Sequence, residues 1–294
     1  MPHTSRKKKP VHKKRKEFVD EEGWTRITST TSVIGVPRKS TAVDSQTGGF
    51  HGRLEVPNVL KPAGVTPRPM KPVKGTTVDT MRAQYNRIEA NWLESDLCRS
   101  LKEILRRYLG GGRREISNCV VFGSGSFCGD EIHWVDRHES AYYQIAAFRT
   151  VADTIEQIQG HWPPCYAQEP FYNELDAAFL ANMHITRVDH PQGFNLLDEA
   201  SFVYSPAAEP EVELRILSHD PEIWLHRSLE HLFYSNGMTV EDGQDDTRID
   251  RDMAQAFLKT QDFAQLPDFD LKNFPFHGSM LWWRKTLDPE EKEP

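Results

Sequence analysis

From residue 77 onward the chain switches repeatedly between two spacings of apolar residues. Met81, Tyr85, Ile88 and Trp92 recur at steps of three and four behind Thr77 and Thr80, which are placed to cap a helix. Leu97, Leu101, Ile104, Leu105 and Tyr108 repeat that spacing after Ser95, until Gly110, Gly111 and Gly112 stop it. Ile116 to Phe122 is mostly apolar, as a strand covered on both faces would be, and runs into Gly123-Ser124-Gly125-Ser126. After a polar loop from Gly129 to Glu139, Ser140 is placed to cap a third helix. That helix carries Ala141, Ile145, Phe148, Val151 or Ala152, and Ile155 on one face, and it ends at Gly160.

The alternation continues. Cys165 to Gln168 reads as a strand, Phe171 to Met183 as a helix, and His184 to Val188 and Ser201 to Tyr204 as strands. Glu211 to Leu217 and Pro221 to Arg227 read as helical pieces, and His231 to Tyr234 as a strand. The acidic run Glu241 to Asp252 reads as a solvated loop, and Phe274 to Trp283 as an added edge strand. Strands alternating with helices predict a parallel sheet with right-handed crossovers. The fold class is therefore α/β: a Rossmann-like three-layer sandwich with a mostly parallel sheet.

Residues 1–76 break this rhythm. They hold eight of the nineteen prolines together with Ser/Thr/Gly-rich runs, too little apolar surface to offset the entropy of ordering. The expected organisation is a disordered basic and Pro-rich region over 1–76 and one α/β domain over 77–294. One island, Phe18 to Ile27, carries an aromatic pair suited to docking on the body or on a partner.

Charge sharpens the division. Arg6 to Lys16 contains eight Lys/Arg and no acid; with 36 basic and 43 acidic residues in all, the remainder carries about −15. An acidic body argues against a folded nucleic-acid-binding face. The arm reads either as a nuclear localisation signal, giving cytoplasmic and nuclear distribution, or as a solubilising terminus. No apolar run is long enough to span a membrane, and no apolar segment follows the basic start. Cys98, Cys119, Cys128 and Cys165 form no Cys-x-x-Cys pair, so reduced thiols are expected, with Cys119 filling the core.

The chemistry suggested by the chain centres on Gly123, Ser124, Gly125 and Ser126. In a doubly wound sheet, ligands bind beyond the carboxyl ends of the strands, where glycines allow close backbone approach and hydroxyls can donate. The third glycine of a dinucleotide fingerprint is replaced by Cys128. Glu169, 44 residues beyond Gly125, and Asp189 each follow a strand, where a carboxylate can accept from ribose hydroxyls. These six residues have the layout of a pocket for S-adenosylmethionine or a nucleotide, and equally of a structural βα turn. No catalytic residue is identified: the chain lacks a Gly-x-Ser-x-Gly elbow, a P-loop and a His-Glu-x-x-His motif. His133 and His138 lie among acids without a metal-binding register, so no metal is expected. Ser205-Pro206 reads as strand termination.

Several blocks together resemble the Sensitivity to Red Light Reduced family, the SRR1-like domain. They are VVFGSGSF, AQEPFYNELDAAFL (Ala167 to Leu180), DHPQGFN (Asp189 to Asn195), SFVYSPAA and YSNGM (Tyr234 to Met238), spanning roughly residues 80–240, with DEEGWTRI as a further short match near the N-terminus. Gln168-Glu169-Pro170 stands where the family commonly has tyrosine-aspartate-proline, and Ser205-Pro206-Ala207-Ala208 where it has a strand ending in histidine and cysteine. The extra length around Asp130 and after Asp242, with the basic arm, resembles a fungal-type member. The resemblance implies a regulatory protein acting through protein partners or a small nucleoside-type ligand, with relatives linked to circadian input, haem biosynthesis control and microtubule-drug resistance. It brings no agreed reaction. An S-adenosylmethionine-dependent methyltransferase or other nucleotide-using enzyme, and a pure interaction scaffold, stand as the other readings.

Overall fold

The computed structural model describes residues 16–19, 25–28, 68–112, 114–131, 137–206, 208–230, 245–271, 273 and 275–285. The chain divides into two compact units, residues 1–60 and 61–294. In the first, β1 (Lys16–Val19) pairs antiparallel with β2 (Thr25–Thr28), Lys16 opposite Thr28 and Val19 opposite Thr25. This pairing takes in part of the aromatic island inside the stretch read as disordered. The rest of that stretch up to residue 67, most of the basic arm, His133, the strand expected at His231 to Tyr234 and the YSNGM block lie outside the described residues.

The second unit begins its described course at residue 68, ahead of the expected start at 77. Met70 is buried, its amide donates to the Phe171 carbonyl at 3.0 Å, and Pro72 bridges to Gly129. Helix α1 (Val78–Glu94) starts as its sequence dictates, with the Thr77 and Thr80 side chains capping each other's amides; Met81, Tyr85, Ile88 and Trp92 are its buried face. Helix α2 (Asp96–Leu109) is capped by Ser95. Helix α3 (His138–Gln159) ends on Gly160, whose φ of +81° and amide bond to the Glu156 carbonyl form a left-handed cap. It starts one turn before the expected cap: Ser140 lies buried inside the first turn and Arg137 stands at the cap.

The remaining elements are β3 (Asn118–Phe122), β4 (Cys165–Gln168), α4 (Glu174–Ala181), β5 (Ile185–Arg187), α5 (Gln192–Asn195), β6 (Ser201–Tyr204), α6 (Pro210–Leu217), β7 (Ile223–Arg227), α7 (Asp245–Thr260), β8 (Gln261–Gln265) and β9 (Ser279–Arg284). Seven strands form one sheet in the order β5-β4-β3-β6-β7-β9-β8. The first five are parallel, and β9 runs antiparallel to both β7 and β8. Chain order reverses between β3 and β6, the switch point of a doubly wound sheet. Cys119, Val121, Ala167, Phe202 and Leu225 pack under α1 to α4, while Val120, Phe122, Val203 and Trp224 pack under α5 to α7. Three layers and a mostly parallel sheet follow.

Three local expectations are corrected. Ile223 to Arg227 is a strand, not a helix: burial on both faces removes the polar alternation that would mark it, and Pro221 imitates a helix start. Asp245 to Asp252, read as loop, opens α7, because Ala254 and Phe257 give this charged segment an apolar face against Trp224 and Trp282. β9 is internal rather than an edge, since β8 pairs outside it. The four cysteines are unbonded and buried, and Cys119 lies opposite Cys165 in the β3/β4 register. Burial pushes the Cys119 thiol well above its ordinary range.

Candidate functional site

The turn after β3 sits beside the switch point, and its shape comes from two glycines. Gly123 at φ +74° and Gly125 at φ +78° take left-handed conformations open to glycine at little cost. The Gly123 amide extends the ladder to the Gln168 carbonyl at 3.1 Å. Beyond it the Gly125 and Phe127 amides and the Ser126 hydroxyl are engaged by two carboxyls of the chain itself.

Glu169, immediately after β4, accepts the Gly125 amide on Oε2 at 3.0 Å and the Phe171 amide on Oε1 at 3.1 Å. Asp176, in the first turn of α4, accepts the Ser126 hydroxyl at 2.7 Å on Oδ2 and the Phe127 amide at 3.0 Å on Oδ1. Its Oδ2 also takes the Asn173 amide at 2.9 Å, completing a capping box with Asn173. The Ser124 and Tyr172 hydroxyls bond to each other. Cys128 lies against Asp176 and Asn173, and from below its carbonyl accepts the Val73 amide at 2.8 Å.

Electrostatics follow from burial. Glu169 is 8% exposed, and loss of hydration pushes its carboxyl up to about 7 against the opposing amide bonds from Phe171 and Gly125; the nearby Asp176 charge adds to the rise. Asp176 is raised by the same burial, offset by its own hydrogen bonds. Burial pushes the Cys128 thiol up to about 12, with Asp176 reinforcing it, so this cysteine is no thiolate nucleophile at neutral pH.

The structure thus brings Gly123, Ser124, Gly125, Ser126 and Glu169 together. Asp189 stands elsewhere: exposed at the end of β5, it pairs with Arg187 at 2.9 Å. Sequence reasoning does not single out Asp176 or Tyr172, although Asn173 three residues before Asp176 is the local signature of a capping box. The side chains around the turn bond to one another, while the space beside Gly123 is open. Cavities of about 290 Å³, lined by Asp268, Phe269, Asp270 and His277, and about 180 Å³, lined by Ile104, Arg107, Tyr108 and Trp283, lie away from it. Neither opening is lined by a group of the turn.

A second buried constellation occupies the carboxyl ends of β6 and β7. His226 places Nδ1 2.7 Å from the Ser205 carbonyl and 3.0 Å from its hydroxyl, and Nε2 2.9 Å from Glu213 Oε1. Arg227 donates to the same Glu213 oxygen at 2.8 Å, and Trp224 donates to the Ser205 hydroxyl at 2.8 Å. The arrangement resembles a serine-histidine-acid relay, but an Nδ1 this close to a carbonyl carries the proton and cannot accept one from Ser205. Ser205, His226 and Glu213 are also wholly buried. The constellation ties α6 to β7. Among the described residues no group of three His, Cys, Asp or Glu is placed to hold a metal, and His138 bonds the Gly129 carbonyl at 2.9 Å.

The family model described as SRR1 domain matches residues 97–279, more than half of the chain. None of the curated proteins matches. Among solved structures, the O-methyltransferase from Bacillus cereus in complex with SAH is 11% identical at a TM-score of 0.36, covering 72% of this chain and 94% of that one. Aeropyrum pernix fibrillarin in complex with natively bound S-adenosyl-L-methionine is 10% identical at a TM-score of 0.31, covering 58% of this chain and 67% of that one. No helix among the described residues is long and apolar enough to cross a membrane.

Proposed function

The chain belongs to the SRR1 domain family, and we propose that it is a regulatory protein that responds to a small ligand, and through it to protein partners, at the carboxyl edge of its sheet. Glu169 carries this reading: a buried carboxyl beside the switch point that holds the Gly125 amide and titrates near neutrality. Such a turn has two accessible arrangements. In one the carboxylate keeps the amides of Gly125 and Phe171; in the other a ligand takes its place and the loop shifts, changing the surface a partner meets.

Thermal melting of the full chain against S-adenosylmethionine, S-adenosylhomocysteine, nicotinamide and adenine nucleotides, and haem tests this. A ligand selective for the native state at a hundred times its dissociation constant adds about 2.7 kcal/mol, a shift of a few degrees. A shift lost in Glu169→Ala, with folding intact, supports the reading. No shift with any member of the panel favours a scaffold without a ligand.

The placement of Gly123 and Gly125 at the end of β3, with Glu169 at the end of neighbouring β4, favours a second reading, an S-adenosylmethionine-dependent methyltransferase. It ranks second because both Glu169 oxygens already accept backbone amides. The arm from Arg6 to Lys16 is assigned to nuclear entry, with the protein distributed between cytoplasm and nucleus; deleting it should move a fluorescent fusion out of the nucleus, and an unchanged distribution would sink the assignment.

A further inference from the structure

The end of α2 and the end of β9 enclose a groove of about 180 Å³, lined by Ile104, Arg107, Tyr108 and Trp283. Ile104 is buried, Tyr108 and Trp283 are half-buried with ring centres 5.9 Å apart, and Arg107 is exposed. An opening below the roughly 300 Å³ of the smallest ligand pockets suits one apolar side chain rather than a cofactor. The cations around it are unequally matched. Glu222 engages Arg114, Asp220 engages Arg284, and Arg106 donates to Gln157 at 3.1 Å. Arg107 has no hydrogen bond or ion pair among the described residues. The groove therefore offers apolar walls and one uncommitted guanidinium.

The chain leaves β9 at this groove. The Tyr108 hydroxyl lies 2.9 Å from the Arg284 carbonyl. The Lys285 amide donates to the Thr260 carbonyl at 2.9 Å and the Lys285 carbonyl accepts from Arg114 at 3.0 Å, so position 285 is held by both of its backbone groups. Thr286 to Glu291 follow and read Thr-Leu-Asp-Pro-Glu-Glu: Leu287, then three acids and no base. Two residues span at most about 7 Å, which keeps Leu287 within reach of the groove beside Trp283. We propose that this segment turns back along the groove, with Leu287 seated against Ile104 and Trp283 and Asp288 paired with Arg107. Burial of the leucine supplies the attraction, and the exposed ion pair, weak in itself, fixes the register. The short tether holds Leu287 at high effective concentration, so contacts too weak to retain a free peptide suffice.

NMR of the full chain at low salt tests this, with Leu287→Val identifying the Leu287 methyl signals. Nuclear Overhauser contacts from those methyls to the Trp283 ring and the Ile104 methyls are the expected result. Arg107→Glu should weaken them several-fold, and Asp288→Arg in that background should recover them by exchanging the two charges. Arg107 is exposed and bonds no described residue, so these variants should melt within a few degrees of wild type. Leu287→Asp gives a second readout that leaves α2 and β9 untouched: the Trp283 indole signal should shift. Leu287 methyls without contact to Trp283 or Ile104, which would leave the groove to another occupant, overturn the proposal. So do contacts unchanged by Arg107→Glu, a charge exchange that recovers nothing, or a Trp283 signal indifferent to Leu287→Asp.

Discussion

The Gly125 amide donates to Glu169 Oε2 at 3.0 Å, so the glycine turn that ends β3 is clasped by the carboxyl that follows β4. A backbone loop shaped to receive an anion already holds a carboxyl, supplied by the chain. The donor is fixed by backbone geometry; the acceptor can change protonation state.

That difference gives a pH dependence. Burial raises Glu169 from its ordinary 4.5 to about 7, so the native state keeps a proton that the unfolded state has lost. The contribution to stability is fully present below 4.5 and disappears as pH rises through about 7, amounting to at most about 3 kcal/mol. Urea unfolding of the wild type should show this loss between pH 5 and pH 8. Glu169→Gln has no proton to release there and should have a flatter profile; superimposable profiles would mean that Glu169 titrates in its ordinary range.

Asp176 is the more structural of the two carboxyls. It accepts from Ser126, Phe127 and Asn173 at once, joining the turn after β3 to the start of α4. Asp176→Ala leaves two buried amides and a hydroxyl without their acceptor, expected to cost roughly 2–4 kcal/mol. Asp176→Asn should recover part of that, because one oxygen still accepts. Denaturant midpoints of the two variants would separate lost hydrogen bonds from lost charge, and equal destabilisation would assign the effect to charge.

Much of this architecture is legible in the chain wherever the signal is local. Thr77 and Ser95 cap their helices because their side-chain oxygens stand just ahead of an apolar period, and Gly160 ends α3 because it accepts a positive φ. The turn and Glu169 are legible too, since both follow apolar strands. What escapes is either masked by burial or non-local. β7 is covered on both faces, so nothing alternates along it. Asp176 acts on Ser126 across 50 residues, and no local spacing reports such a contact. Asp189 follows a strand as Glu169 does, yet it ends the outermost one, where solvent and Arg187 occupy it.

Glu213 offers a test of the second buried constellation. Arg227 donates to its Oε1, His226 Nε2 lies 2.9 Å from the same oxygen, and the imidazole is also held by the Ser205 carbonyl. Glu213→Ala leaves a buried imidazole nitrogen and the Arg227 guanidinium without this partner, expected to cost about 3–5 kcal/mol. His226→Ala in the Glu213→Ala background should add little, because the partners act as one unit. Additive losses measured by chemical denaturation would show that each side chain contributes alone.

β9 lies between β7 and β8, with Leu281 and Trp282 buried, the Trp282 indole donating toward the Arg227 carbonyl and Arg284 bonded to Asp220. A chain ending before Ser279 would expose a full ladder edge on β7 and release β8 altogether, since its partner in the sheet is gone. No cooperative unfolding transition is expected from it. Ending the chain after Lys285 keeps every one of these contacts and should leave the melting temperature within a few degrees of the full chain. Circular dichroism melts of the two truncations decide the matter: a cooperative melt from the shorter one would mean that β9 covers an edge rather than completing the sheet.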